Sequence, residues 1–200
     1  AIKFHKQSLG ITRDIGDRQG EASSLNNLGN ASLSLGRYEE AITCYEQSLA
    51  IYRDIGDRGG EASSLNNLGS VSLSLGRYKD AIKFHKQSLA ISRDIGNRGG
   101  EASSLGSLGE AYYALEDYQQ AISFEQQALT IANDLQSPPL KAEIWLNFGK
   151  ILSKLDRISD AIGAYRNARQ FYQEMQLDHK VQKCDKAIQK LETPPQPPTL

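Results

Sequence analysis

The chain has 200 residues, a formal net charge of −1 and a hydrophobic fraction of 39%. A net charge so close to zero gives no electrostatic reason to expect binding to DNA or RNA. No run of about 18 apolar residues is present that could cross a membrane. The hydrophobic fraction is low for a compact sphere, but it suits an elongated array in which much of the surface is exposed.

The dominant feature of the chain is a repeat of 40 residues. The segment from Gly56 to Gly96 recurs almost letter for letter from Gly16 to Gly56, and one phase of the repeat is marked by Ala1, Ala41, Ala81, Ala121 and Ala161. A fixed period of this size indicates small supersecondary units that stack on their neighbours. This pattern excludes most enzyme folds and directs the question of function towards an extended binding surface.

The predicted elements follow the repeat along an array that spans residues 1–192. The first nine residues match Ala81–Leu89, the second half of a unit, so we expect the chain to begin within a unit, as a fragment of a longer array. A lone second helix is predicted at 1–15, and helix hairpins are predicted at 20–55, 60–95, 100–135 and 138–175. An amphipathic helix at 179–192 is predicted to cap the array. Residues 193–200, TPPQPPTL, are predicted to form an extended proline-rich tail or linker.

Each unit is predicted to be a hairpin of two antiparallel α-helices, in an all-α fold. In the second unit, Leu65, Leu68 and Leu75 recur at three- and four-residue steps or their multiples, which is typical of one apolar face of a helix. Asp57 is the predicted N-cap of this helix. Gly76 follows the last apolar residue and is predicted to end the helix in the left-handed region.

A glycine interrupts the first helix of every complete unit. Gly69 shares its phase with Gly29, Gly109 and Gly149, although glycine within a helix costs about 1 kcal/mol relative to alanine. Its recurrence predicts a close approach of the second helix, with Ala81 as the small residue on the opposite side. Glu61, in the first turn, suits the positive end of the helix dipole.

The repeat resembles the tetratricopeptide family. The signature is carried in the second unit by Leu65, Leu68-Gly69, Gly76, Tyr78, Ala81 and Leu89, and later by Tyr112, Tyr118, Trp145 and Tyr165. The extended period is similar to that of the Leu-Gly-Asn repeat (Pins-type) proteins, of kinesin light chains and of arrays in bacterial signalling proteins with an ATPase or protease-like effector domain. The resemblance implies a right-handed superhelical solenoid that binds protein partners.

Residues that could carry chemistry do not form a recognisable site. His5, His85 and His179 match no metal-binding spacing, and we interpret the first two as packing residues. No nucleophile motif or phosphate-binding loop is present, so we predict no catalytic residue, metal or cofactor. Cys44 and Cys184 lie at different phases of different repeats, which favours reduced thiols and a cytoplasmic location.

The candidate binding surface is the concave wall of the array, which the first helices should line. Residues between their packing positions should face the groove and bind a peptide segment of a protein partner. The candidates are Ser23, Asn26, Asn30, Ser63, Asn66, Ser70, Glu110, Tyr113, Leu146 and Lys150. Asn66 offers both donors and an acceptor, and Asn66→Ala is predicted to weaken binding with little loss of stability. The alternative is that these side chains only keep the surface hydrated.

Two other functions stay open at this stage. The array could be a regulatory or sensor part of a multidomain signalling ATPase or protease. It could also be a structural spacer that self-assembles head to tail through the truncated N-terminal helix, whose Ile2, Phe4 and Ile11 would lack their usual partner. We expect a protein or peptide partner, and neither nucleic acid nor a membrane.

Overall fold

The computed structural model describes residues 2–193 and contains ten α-helices and no strand within that range. The predicted all-α class is confirmed. The proline-rich tail lies outside the described residues from position 194 onward. In chain order the helices are α1 (Ile2–Asp14), α2 (Arg18–Ser34), α3 (Tyr38–Asp54), α4 (Arg58–Ser74), α5 (Tyr78–Asp94), α6 (Arg98–Ala114), α7 (Tyr118–Asp134), α8 (Pro138–Lys154), α9 (Ile158–Glu174) and α10 (Asp178–Glu192).

Local sequence signals set the ends of the first helices. The Asp57 side chain accepts a hydrogen bond of 2.9 Å from the backbone N–H of Gly60 and so caps α4. Asp17 and Asn97 do the same for α2 and α6. Gly76 follows α4 with a φ of +71°, the left-handed conformation that glycine adopts without steric cost. The predicted cap and stop of this helix are both confirmed.

The recurrent glycine of the first helix marks a close contact with the second helix, as predicted, but the contacting residue differs. A Cβ atom on Gly69 would lie 2.4 Å from Cε1 of His85, and the nearest atoms all belong to that ring. His85 is fully buried. Ala81, the expected neighbour, is also fully buried. The contact with Gly69 is therefore made by His85, which lies about one helical turn beyond Ala81 along α5.

The helices stack as hairpins in which α2, α4, α6 and α8 are the first helices and α3, α5, α7 and α9 the second helices. Each first helix packs against its own second helix and against the second helix that precedes it. The first helices also contact each other from α2 through α8, whereas the second helices make no comparable contact with one another within residues 2–193. The closer spacing of the first helices places them on the inner side of a curved array.

A buried glutamate links the first helix of a hairpin to the helix that precedes it at three places. Glu61 of α4 accepts a hydrogen bond of 2.9 Å from Nε of Arg53, at the end of α3, and pairs with Arg58 of its own helix. Burial desolvates Glu61, but the hydrogen bonds and charges of the two arginines outweigh this effect and lower its pKa. The same arrangement is formed by Glu21 and Glu101 with Arg13, Arg18, Arg93 and Arg98. The carboxylate therefore does more than complement the helix dipole.

Within residues 2–193, none of the helices combines the length and the apolar composition that crossing a membrane requires.

Candidate functional site

The inner surface of the array carries a series of recesses between successive first helices. One recess of about 170 Å³ lies between α4 and α6, and its lining includes Ser63, Asn66 and Ser103. A wider one of about 570 Å³ extends from Ser70 to Tyr113. A third, of about 330 Å³, continues towards α10. We call the surface formed by these recesses and the exposed side chains of the first helices the inner groove.

Most of the predicted site residues lie on the inner groove, but they divide into separate groups. Ser23 and Asn30 are exposed on α2. Ser63 and Asn66 line the recess between α4 and α6. Three more predicted residues gather around the wider recess, which is lined by Ser70, Glu110 and Tyr113. Lys150 meets Glu110 and Tyr113 at a small recess of about 60 Å³ further along.

Two predicted residues are not available on the groove. Asn26 is only 9% exposed, and its Nδ2 donates a hydrogen bond of 3.2 Å to Ser64 of the next hairpin. Leu146 is 6% exposed and packs in a cluster with Tyr165 and Cys184. Both residues stand at the phase of Asn66, and at each of them this phase packs against the following helices rather than the groove: Asn26 against α4, and Leu146 against side chains of α9 and α10. Leu146 is therefore a core residue.

Asn66 has a structural role that changes the expected effect of its substitution. Its Oδ1 lies 2.9 Å from Nδ1 of the buried His85. Burial lowers the pKa of His85 to about 4, so the ring is neutral at pH 7 and Nδ1 serves as the donor to the Asn66 oxygen. Asn66→Ala would leave this buried nitrogen without its partner, which costs about 1–3 kcal/mol. The substitution therefore alters stability as well as the groove surface.

A buried carboxyl group lies beneath the small recess between α6 and α8. Glu125 of α7 is fully buried against Gly109, and its Oε1 accepts a hydrogen bond of 2.9 Å from Nδ2 of Asn147. Burial raises the pKa of Glu125 to about 8, against the opposing effects of Asn147 and of the Lys150 ammonium group. Desolvation also lowers the pKa of Lys150. At neutral pH the carboxyl group is therefore mainly protonated.

The importance of Glu125 was not foreseen from the sequence. Its phase is that of Tyr45, His85 and Tyr165, all of which lie beneath the recurrent glycine of the facing helix. The sequence did contain one signal, a glutamate at a phase that otherwise holds packing residues. A carboxyl group packed against the facing glycine must be desolvated. Asn147, its hydrogen-bond donor, shares its phase with Asn27 and Asn67. The pair with Glu125 forms only when two hairpins stack, so it could not be predicted from the repeat.

Comparison with known proteins places these features in context. A family model described as tetratricopeptide repeat matches residues 1–54 and 60–134. A stretch of 44 residues is 50% identical to the human G-protein-signaling modulator 1, and this match covers 22% of the chain and 6% of the human protein. The predicted resemblance to tetratricopeptide arrays of the Pins type is thereby confirmed.

Solved structures share the architecture at low sequence identity. A putative kinesin light chain from Podosopora anserina with nearly identical TPR-like repeats aligns with a TM-score of 0.67 at 18% identity, over 88% of this chain and 86% of that one. A STAND signal transduction ATPase with a tetratricopeptide repeat sensor, PH0952 from Pyrococcus horikoshii, gives 0.75 at 19% identity, over 86% of this chain and 27% of that one. These likenesses support the helical solenoid.

Proposed function

Because the chain belongs to the tetratricopeptide repeat family, we propose that it binds a segment of a protein partner along its inner groove, as a scaffold within a larger protein. Members of this family generally mediate protein–protein interactions. The observation that carries the proposal is the row of recesses between the first helices, of about 170, 570 and 330 Å³. Such concave sites are where ligands preferentially bury their surface.

The chemistry of the inner groove changes along its length. Near α2 and α4 the groups on the groove are uncharged, as in the exposed Asn30 and Ser63 and the half-buried Ser70. Tyr45 donates a hydrogen bond of 2.8 Å to Oδ1 of Asn30, which leaves the Asn30 amide N–H groups for a partner. Towards α8 the groove becomes charged and aromatic, with Glu110, Lys150 and Tyr113. This order suits a segment that presents backbone groups to one half and charged or apolar side chains to the other.

The groove proposal is tested with segments selected from a displayed random peptide library against the array. We expect Ser70→Arg and Tyr113→Ala each to weaken selected segments at least about tenfold, a loss of about 1.4 kcal/mol. Gln87→Arg, on the exposed side of α5, adds the same charge away from the groove and should leave the affinity unchanged. Segments that respond only to Gln87→Arg would place binding on the outer surface and overturn the proposal.

A second candidate is a sensor array that controls an effector domain elsewhere in the same protein. The observation in its favour is the likeness to the archaeal ATPase, which carries a tetratricopeptide repeat sensor. In this case, a selected groove segment should change nucleotide hydrolysis by the full-length protein, and Ser70→Arg should abolish that response. Hydrolysis that does not respond to the segment would exclude this candidate. We also propose that the array itself is not catalytic and acts in the cytoplasm.

A further inference from the structure

We propose that the recess between α4 and α6 receives a phenol ring, supplied by a tyrosine side chain in the partner segment. We call it the Ser92 recess, and its lining includes Ser63, Asn66, Ser92, Gly100 and Ser103. This inference rests on the proposed function, because it names one side chain that the inner groove would select. It is drawn from the comparison of equivalent positions in successive repeats of this chain.

The preceding repeat shows how the same space is filled by the protein itself. Tyr52 of α3 is 7% exposed, and its ring lies against the backbone of Gly60, where a Cβ atom would come within 2.3 Å of Cδ1. Burial raises the pKa of Tyr52, while Ser23 and Asn26 beside its hydroxyl group oppose that rise. The structure therefore holds a tyrosine ring between the first and second hairpins, with the polar side chains of Ser23 and Asn26 near its hydroxyl end.

Forty residues later the ring is missing, but its surroundings are retained. Ser92 stands at the phase of Tyr52, and Gly100 at the phase of Gly60, so both sides of the contact are small. The polar side chains near the hydroxyl group are also repeated, since Ser63 and Asn66 stand at the phases of Ser23 and Asn26. The result is the recess of about 170 Å³. A cavity of about 150 Å³ is large enough to hold benzene, so a phenol ring fits.

The two later interfaces differ from this one in sequence. Ala132 stands at the phase of Ser92 in the third hairpin, but Leu140 replaces the glycine across from it and supplies a large side chain. In the fourth hairpin the position is Tyr172, which is 1% exposed and carries the Lys180 ammonium group over its ring at 5.1 Å. Among the hairpins described, the second alone has small residues on both sides of this contact, Ser92 on one side and Gly100 on the other.

The polarity of the Ser92 recess favours phenol over a purely apolar ring. Ser92 is 1% exposed, and its Oγ has no hydrogen-bond partner among the described residues. An unpaired buried hydroxyl group is costly. A tyrosine side chain that enters from the inner groove runs in the opposite direction to Tyr52, so its hydroxyl group reaches towards Ser92 and can recover this cost. Ser63 and Ser103 are exposed at the recess, so a side chain can enter from the inner groove.

The direct test uses p-cresol, the side-chain analogue of tyrosine, and needs no protein partner. We expect p-cresol to shift the backbone amide resonances of Ser63, Asn66, Ser92 and Ser103 in titrations followed by NMR. Toluene, which lacks the hydroxyl group, should bind about threefold to tenfold more weakly, the equivalent of one hydrogen bond. Absence of binding, or shifts confined to other regions, would overturn the inference even if the groove binds protein segments.

Two reciprocal variants locate the binding. Ser92→Tyr places in the second hairpin the ring that the first hairpin already accommodates, and it should abolish p-cresol binding. Tyr52→Ser should create a second recess and raise the stoichiometry to two molecules per chain. Undiminished binding to Ser92→Tyr would contradict the assignment.

A partner segment distinguishes failure of this inference from failure of the proposed function. In a selected segment, replacing tyrosine by phenylalanine should lower the affinity for the wild-type array about threefold to tenfold. The same replacement should have no effect with Ser92→Tyr. If segments bind the groove but show no preference for tyrosine, the groove proposal stands and the tyrosine assignment fails.

Discussion

At the scale of single residues, the position beneath the recurrent glycine is the most informative. It holds Tyr45, His85, Glu125 or Tyr165 in successive hairpins, and each lies within van der Waals contact of the facing glycine. The close approach of the backbone thus tolerates side chains of three different chemistries at these four positions. The consequence is that two ionisable groups, an imidazole and a carboxyl, are buried in a repeat that otherwise uses a phenol.

Substitution of the recurrent glycine tests this contact. Gly69→Ala would place a Cβ atom 2.4 Å from the His85 ring, and it should lower the free energy of unfolding by about 1–3 kcal/mol because the ring must shift. Gly106→Ala is the matched control, since nothing lies within 4 Å of its added Cβ atom. It should raise the stability by about 0.5–1 kcal/mol through helix propensity. Urea denaturation measures both, and equal effects of the two substitutions would refute the contact.

The buried carboxyl of Glu125 predicts a pH dependence. Its pKa is raised from 4.5 to about 8 on folding, so the folded protein binds the proton more tightly than the unfolded chain. Stability is therefore greatest below the unfolded pKa and falls as pH rises towards 8, by about 1 kcal/mol between pH 6.5 and 7.5. Lys150, Glu110 and Glu143 face the same group and modulate this effect.

Glu125→Gln keeps the acceptor for Asn147 but cannot ionise. In this variant the loss of stability between pH 6.5 and 7.5, measured by urea denaturation at each pH, should disappear. His85 does not confound the comparison. Its pKa is lowered from 6.5 to about 4 on folding, so the stability that it contributes is lost mainly as the pH falls below 6.5. An unchanged pH slope in the variant would show that Glu125 is not the responsible group.

At the scale of helices, the ends of the elements change along the chain. A residue with positive φ follows each of the helices α1 to α9. After α1 to α5 this residue is glycine, as in Gly76, whereas after α6 to α9 it is Glu116, Gln136, Asp156 and Gln176. A side chain in the left-handed region costs about 1 kcal/mol or more relative to glycine. The later hairpins therefore carry backbone strain that the earlier ones avoid.

Exchange of residues at this position tests that difference. Glu116→Gly should raise the free energy of unfolding by about 0.5–1 kcal/mol, because the φ of 61° no longer opposes a Cβ atom. Gly76→Ala should lower it by about 1 kcal/mol, and the nearest atom to its added Cβ is 4.0 Å away, so the loss reports the backbone alone. Thermal and urea unfolding would contradict this account if Glu116→Gly were destabilising.

The helices and their caps were predictable from sequence because their signals are local. Asp57, Gly76 and the spacing of Leu65 and Leu68 act within a few residues of each other. The link between Glu61 and Arg53 was not predicted, because the pair forms only when two hairpins stack. The burial of Leu146 was not predicted for the same reason, since it follows from packing against side chains of α9 and α10.

At the scale of the whole molecule, the two described ends of the array differ in character. At the first end, Phe4 and Ile11 of α1 and Ile15 just after it are 61–73% exposed. α10 has the position of a first helix, but Asp185 and Gln189 stand at the phases of Leu25 and Gly29. Gln189 occupies the position of the glycine against which another second helix would pack, and Asp185 pairs with Arg169 of α9 at 2.6 Å. They argue against the head-to-tail assembly considered from sequence, in which α10 of one copy would receive α1 of the next.

The polar face of α10 predicts the behaviour of the array in solution. The wild-type chain should not form head-to-tail oligomers, whereas Asp185→Leu combined with Gln189→Gly restores the apolar pattern of α2 and should promote concentration-dependent association. Sedimentation velocity over a wide concentration range measures this difference. Wild-type oligomers that grow with concentration and persist when α10 is deleted would show that another surface drives assembly. Oligomers lost on that deletion would revive the spacer function.

The central claim is that the curved stack of hairpins binds its partner on the side formed by the first helices. The most direct measurement is the map of backbone amide shifts when a selected segment is added to the isotopically labelled array. The account predicts shifts concentrated on groove-lining residues of α4, α6 and α8, including Ser63, Ser70 and Tyr113. Shifts concentrated on the exposed faces of α3, α5 and α7 would contradict it.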